Sequence, residues 1–163
     1  DARVAASCIS YEQAELNLKE FVNRSFDQIK EDGKKRCNEI LGKVEVETTN
    51  VDQLRTFYSS LYRSVLFPRS FFEYDKAGNI MHYSPYNGKV LPGYMFTDTG
   101  FWDTFRGLFP LLNLLYPEMN RKMQEGLINA YKESGFFPEW ASPGHRPIMV
   151  GNNSASVLTD AYL

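Results

Sequence analysis

The sequence predicts a mainly α domain of paired helices with a site at one end. It is entered through a strand and a helical connector and interrupted by a small β-hairpin. Three observations predict this. Apolar residues recur at helical spacing through most of the chain. Turn-forming pairs crowd into one aromatic stretch, residues 70–97. Neither a βαβ alternation nor a GxGxxG run is present.

Residues 3–10, Arg-Val-Ala-Ala-Ser-Cys-Ile-Ser, carry apolar and small residues without a breaker and read as a strand. Ser10, with Gln13 three residues on, makes an N-cap and its partner. Ala14, Leu18, Phe21, Val22, Phe26 and Ile29 then form one helical stripe. Asp32-Gly33 is expected to interrupt it, and a second piece carries Ile40 and Leu41 before Gly42. A strand followed by a Lys- and Glu-rich helix reads as a connector, so a boundary is placed near residue 48.

Asn50 and Gln53 offer a second cap, ahead of the stripe Leu54, Tyr58, Leu61, Tyr62 and Val65, which Pro68 should stop. Gly78-Asn79, Asn87-Gly88 and Pro92-Gly93 mark turns in a hairpin or ordered excursion. Residues 100–115 are helical, with a new turn or a kink at Pro110. Pro117 suits a helix N1 position and Gly135 a helix end, around the stripe Met119, Met123, Leu127, Ala130 and Tyr131. Residues 136–151 form a long loop. Asn152 or Asn153 caps a last helix, expected to bury Ala155, Leu158 and Tyr162.

Composition narrows the function classes. Net charge is −2, without a basic stripe, so the footprint of nucleic-acid binding is missing. No apolar run approaches the ~20 residues that span a bilayer, and no signal peptide is visible. Cys8 and Cys37 supply neither a disulfide framework nor a metal cluster. Aromatics reach 15%, enough either to build a core or to stack on sugar rings. The chain opens without Met and closes on Thr159-Asp-Ala-Tyr-Leu163 in a helical pattern, so both ends are expected to be cut.

Three clusters could carry chemistry. Trp102, Asp103 and Arg106 share a helix face. They suit a sugar, the carboxylate accepting from hydroxyls and the ring covering a C–H face, or simply an intrahelical Asp103–Arg106 salt bridge. Glu139, Trp140, His145 and Arg146 stand in one loop, which loops that bind ligands favour. Gly151-Asn-Asn-Ser154 offers amides for sugar hydroxyls, or a helix cap. GxSxG, HExxH, Walker A and CxxC are absent. Asp103 and Glu139 are the one carboxylate pair that local context offers for glycoside hydrolysis.

At these residues the chain resembles a known family. Phe101-Trp-Asp-Thr-Phe-Arg-Gly-Leu-Phe-Pro-Leu-Leu112 resembles the WDTFR…PL signature of glycoside hydrolase family 92, the exo-acting α-mannosidases common in gut Bacteroidetes. Thr56–Tyr62 ahead of Phe67-Pro68, the G-x-x-P-x-W turn at Gly135–Trp140 and the M-x-G…DAY segment at Met149–Tyr162 agree, in order. Ser10-Tyr-Glu-Gln-Ala-x-x-Asn17 is similar to the family's exit from its β-sandwich into a helical linker.

The resemblance implies residues 1–10 as the last sandwich strand, 11–48 as a helical linker and 49–163 as the first part of an (α/α)6 toroid. It implies inverting release of terminal α-linked mannose, with α-1,2 linkages expected. It also implies a Ca²⁺ that engages the sugar's 2- and 3-hydroxyls, and a periplasmic or secreted setting. The acid, the base and the principal Ca²⁺ ligands are expected after residue 163. What carries over is a sugar-binding wall of Trp102, Asp103, Arg106, Glu139, Trp140, His145 and Asn152. The partners expected are mannose-containing glycans and the rest of the parent polypeptide, without which this piece should be inactive. The rival readings are another glycosidase on the same toroid and a non-catalytic glycan-binding helical domain.

Overall fold

The computed structural model describes residues 2–162. Asp1 and Leu163, the outer ends of the first and last expected units, lie outside the described residues.

Residues 2–10 form no strand; the first regular element is α1 (Tyr11–Val22). Among the described residues the strand expected over 3–10 has no ladder to join, and two polar groups near its end go to a side chain instead. The Glu73 carboxylate accepts from the Cys8 amide and from the Ser7 hydroxyl, each at 2.9 Å. Burial and the Glu73 charge push the Cys8 thiol up from its ordinary value. Ser10 caps α1 by accepting from the Gln13 amide, as its spacing predicts.

α2 (Phe26–Leu41) runs unbroken through Gly33, which corrects the expected interruption at Asp32-Gly33. The break falls at 23–25 instead, because Ser25 and Gln28 form a reciprocal capping box. Arg24 adds an ion pair to Asp32 across the first turns. A glycine inside a helix costs about 1 kcal/mol relative to Ala, which a cap of similar worth offsets. Neither α1 nor α2 has a fully buried residue. Ile40 and Leu41 at the end of α2 pack on the core.

α3 (Val51–Ser64) starts at Asn50, whose side chain accepts from Asp52 and Gln53, and buries Leu61. It ends before Pro68 is reached. The excursion then unfolds as β1 (Arg69–Ser70), β2 (Glu73–Tyr74), β3 (Ile80–Tyr83), β4 (Val90–Pro92) and β5 (Phe96–Thr97). β2, β3 and β4 form an antiparallel meander, and β1 pairs with β5 across it. The expected hairpin is thus a meander enclosed by a second pair. Gly78 and Gly93 take φ of +83° and +101° at its turns, the left-handed region glycine enters without penalty.

β6 (Thr99–Gly100) leads directly into α4 (Phe101–Thr104) and α5 (Leu108–Leu115). Pro110 lies in the first turn of α5, where its missing N–H removes no helical bond. α6 (Pro117–Ser134) has Pro at N1 and ends at Gly135 with φ +84°. β7 (Trp140–Ala141) and α7 (Asn153–Tyr162) follow. Among the described residues no helix is long and apolar enough to cross a membrane.

The core joins Leu61, Phe101, Phe109, Leu112, Tyr116, Met123, Leu127 and Val157. α5 and α6 pack on each other, and α7 lies against α4, α5 and α6. α7 buries Ser154 and Val157, with Leu158 partly covered, whereas Tyr162 is 91% exposed. The face expected from Ala155, Leu158 and Tyr162 is therefore rotated. A polar ladder sets that phase: Gln124 donates to Asn120, Asn120 to Asn113, and Asn113 to Asp160 of α7 at 2.7 Å.

Candidate functional site

The site is built where β6 meets β7. Thr99 pairs with Ala141 and Gly100 with Trp140, forty-two and forty residues apart in sequence. The ladder is closed at one end by the Asp98 amide donating to Ala141 O at 2.8 Å, and at the other by the Phe101 amide donating to Glu139 O at 3.1 Å. It brings Glu139 and Trp140 against the start of α4, which carries Trp102 and Asp103.

Gly100 makes the approach possible. A β-carbon there would lie 2.0 Å from Cε3 of Trp140 and 2.8 Å from Oδ2 of Asp103. The indole and the carboxylate therefore border one point of backbone. Trp102 is 38% exposed. The Arg106 guanidinium lies 4.3 Å from its ring centroid and 4.8 Å from that of Phe105, and Nη1 donates to Trp102 O at 3.2 Å. Among the described residues no ion pair joins Arg106 to Asp103. The simple salt-bridge reading of their spacing is thus overturned: stacking on two rings holds the guanidinium, and the carboxylate keeps its acceptors free.

His145 returns to the ladder through a bridge with Ala141. Its Nε2 meets Ser134 Oγ at 2.9 Å, and its ring tilts against Tyr86 at 4.7 Å between centroids. Partial burial lowers the imidazole from its ordinary value, partly opposed by the Glu139 charge. Burial and the Glu133 charge push Tyr86 up to about 12. The Arg146 amide donates to Trp140 O and its Nε to Ser142 O, closing a tight loop. Phe136, Phe137, Glu139, His145, Arg146 and Pro147 line a shallow hollow beside it.

Asn152 is not drawn into this group by any hydrogen bond. It heads α7 and accepts from the Ser154 hydroxyl at 2.8 Å, so its observed contact is the local one that residues ahead of a helix make. Among the described residues no three His, Cys, Asp or Glu side chains cluster as a cation site.

Several contributors escaped sequence reasoning. Asp98 has φ +60° and ties Arg69 and Ser142 to the ladder. Tyr86 backs His145. A buried His82–Glu133 pair at 2.9 Å fixes the meander to α6. Asp98 stands in the run Thr-Asp-Thr-Gly ahead of Phe101, an unusually polar lead-in to an apolar helix and the one signal available.

Comparison with known proteins identifies the family. The model of the glycosyl hydrolase family 92 catalytic domain matches residues 13–163. A family GH92 inverting mannosidase from Bacteroides thetaiotaomicron is 54% identical, with a TM-score of 0.93 over 96% of this chain and 21% of that one. A family GH92 α-mannosidase from the same organism is 26% identical, with a TM-score of 0.81 over 93% of this chain and 20% of that one. Its complex with mannoimidazole gives 25% and 0.80 over the same shares. No curated protein matches significantly. The chain spans about a fifth of the length of these solved structures. With its family model covering nearly the whole chain, the chain belongs to glycosyl hydrolase family 92.

Proposed function

We propose that this chain is part of an exo-acting α-mannosidase that removes terminal α-linked mannose with inversion, acting on α-1,2 linkages. The observation that carries the reading is the corner where the Trp140 indole and the Asp103 carboxylate meet over Gly100, in a chain of a family whose solved relatives include an inverting mannosidase. An aromatic face beside a free carboxylate matches a pyranose, which presents C–H groups on one face and hydroxyl donors at its edge.

In this reading Trp102, Asp103, Arg106, Glu139, Trp140, His145 and Asn152 form one wall of the terminal sugar's site. Asp103 accepts hydrogen bonds from sugar hydroxyls, and Arg106 backs Trp102 so that its ring stays upright. Trp140 covers the sugar and excludes water from that side. His145 and Glu139 edge the hollow where the leaving part of the glycan emerges. The acid, the base and the Ca²⁺ ligands belong to other parts of the polypeptide, and an inverting reaction requires the acid and base far enough apart to admit water. Residues 1–10 would close a β-sandwich, 11–48 link it, and 49–163 begin an (α/α)6 toroid. A periplasmic or secreted setting suits an enzyme that trims glycans.

The test is assay of the full-length protein on α-1,2-mannobiose, with the anomer of the released sugar followed by NMR and a chelator arm included. Release of β-mannose first, lost on chelation and restored by Ca²⁺, is expected. No release, α-mannose first, or indifference to chelation would overturn the reading.

A further inference from the structure

We propose that Asp98, outside the sugar-binding wall, is a positioning residue that sets Trp140 against the Trp102–Asp103 corner; the proposal rests on the mannosidase reading above. Three elements meet at this side chain. Oδ2 pairs with Arg69 Nη2 at 2.6 Å, on the strand that pairs with Phe96–Thr97. Oδ1 accepts from Ser142 Oγ at 2.9 Å, just after the strand that begins with Trp140. Its own amide closes the β6–β7 ladder on Ala141 O at 2.8 Å. One carboxylate thus clamps the β1 side to the β7 side, with β6 between them.

The backbone at this clamp is held in an unfavourable state. Asp98 is the one non-glycine residue with positive φ, at +60°, among the described residues. A β-carbon disfavours that region, and such conformations persist only where surrounding contacts over-determine them. The ladder it closes is two residues long, so it has little cooperativity of its own to keep its register. Phe101 follows at once, and Trp102 and Asp103 sit on the next two residues. A rotation at Asp98 therefore moves the corner relative to Trp140, and misplacement by about 1 Å can cost about a hundredfold in rate.

The substitution Asp98→Gly separates positioning from stability. It relieves the backbone and removes both side-chain contacts. In the full-length protein on α-1,2-mannobiose, KM is expected to rise about tenfold or more, with kcat also reduced and the melting temperature no lower than wild type. Arg69→Gln should give a smaller rise in the same direction, and Asp98→Asn, which keeps an acceptor for Ser142, should recover part of the loss. Wild-type KM and kcat in Asp98→Gly, or a fall confined to apparent kcat at unchanged KM, would overturn the proposal, since fewer folded molecules alone leave KM untouched. The crystal structure of Asp98→Gly supplies the readout that does not depend on substrate. Trp140 displaced from Gly100 is expected, and an unmoved ladder overturns the proposal. If wild type releases no mannose, the functional reading fails, and the crystal structure alone decides the role of Asp98.

Discussion

The Trp140 ring lies across Gly100 so closely that no larger residue fits beneath it. A β-carbon on Gly100 would meet Cε3 at 2.0 Å and Cζ3 at 2.2 Å. Gly100 has φ −105°, which any residue adopts, so the glycine is required by the ring and not by the backbone. Gly100→Ala must push the indole off the corner. Overpacking of this kind costs about 1–3 kcal/mol. The expected outcome is a lowered melting temperature and kcat/KM down about a hundredfold for the full-length protein. Near-normal kinetics would mean that Trp140 does not cover the substrate.

Asp103 and Arg106 should separate in kinetics, because the structure separates them in space. A hydrogen bond to a charged acceptor is worth about 1.5–3 kcal/mol, so Asp103→Asn should lower kcat/KM about ten- to hundredfold. Arg106→Lys keeps the charge but loses the flat contact with Trp102. Its effect should be a KM increase of a few fold with kcat nearly unchanged. Equal losses in the two variants would instead make the guanidinium a substrate contact as strong as the carboxylate.

His145 gives a pH test. Its folded value lies below the ordinary 6.5, chiefly because partial burial disfavours the imidazolium. The unfolded chain therefore takes up the proton first as pH falls. The contribution of neutral His145 to stability is present above the ordinary value and lost as pH drops through the folded one. His145→Gln should flatten the acid side of the melting-temperature profile below pH about 6.5, measured as a difference from wild type. A steeper acid limb in the variant would refute the assignment.

How far the sequence reached depends on the range of the interactions involved. α6 was legible because Pro117 and Gly135 bracket a regular stripe, and both occupy the predicted positions. Asn50 was legible as a cap for the same local reason. The α1–α2 break was misplaced because Asp32-Gly33 resembles a stop, while the Ser25–Gln28 box that decides the matter is made of unremarkable residues. Trp102, Asp103 and Arg106 could be grouped because one turn of helix holds them. Their meeting with Trp140 could not, because two-residue strands carry no periodicity and their pairing spans forty positions.

The His82–Glu133 pair shows the same limit and offers a last prediction. His82 is fully buried, with Nδ1 facing Gly93 O at 2.8 Å and Nε2 facing Glu133 Oε1 at 2.9 Å. Glu133 Oε2 is buried and makes no hydrogen bond among the described residues. Removing the carboxylate leaves a buried ring nitrogen without its partner, at about 1–3 kcal/mol. Glu133→Ala should therefore speed amide exchange in β3 and the last turns of α6 of the full-length protein. Glu133→Gln should do far less, because its amide fills the same space and can donate to Nε2. Since the Tyr86 ring feels the Glu133 charge and tilts against His145, the Ala variant should also loosen residues 142–146. Equal exchange in the two variants would show that charge, not the hydrogen bond, fastens the meander to α6.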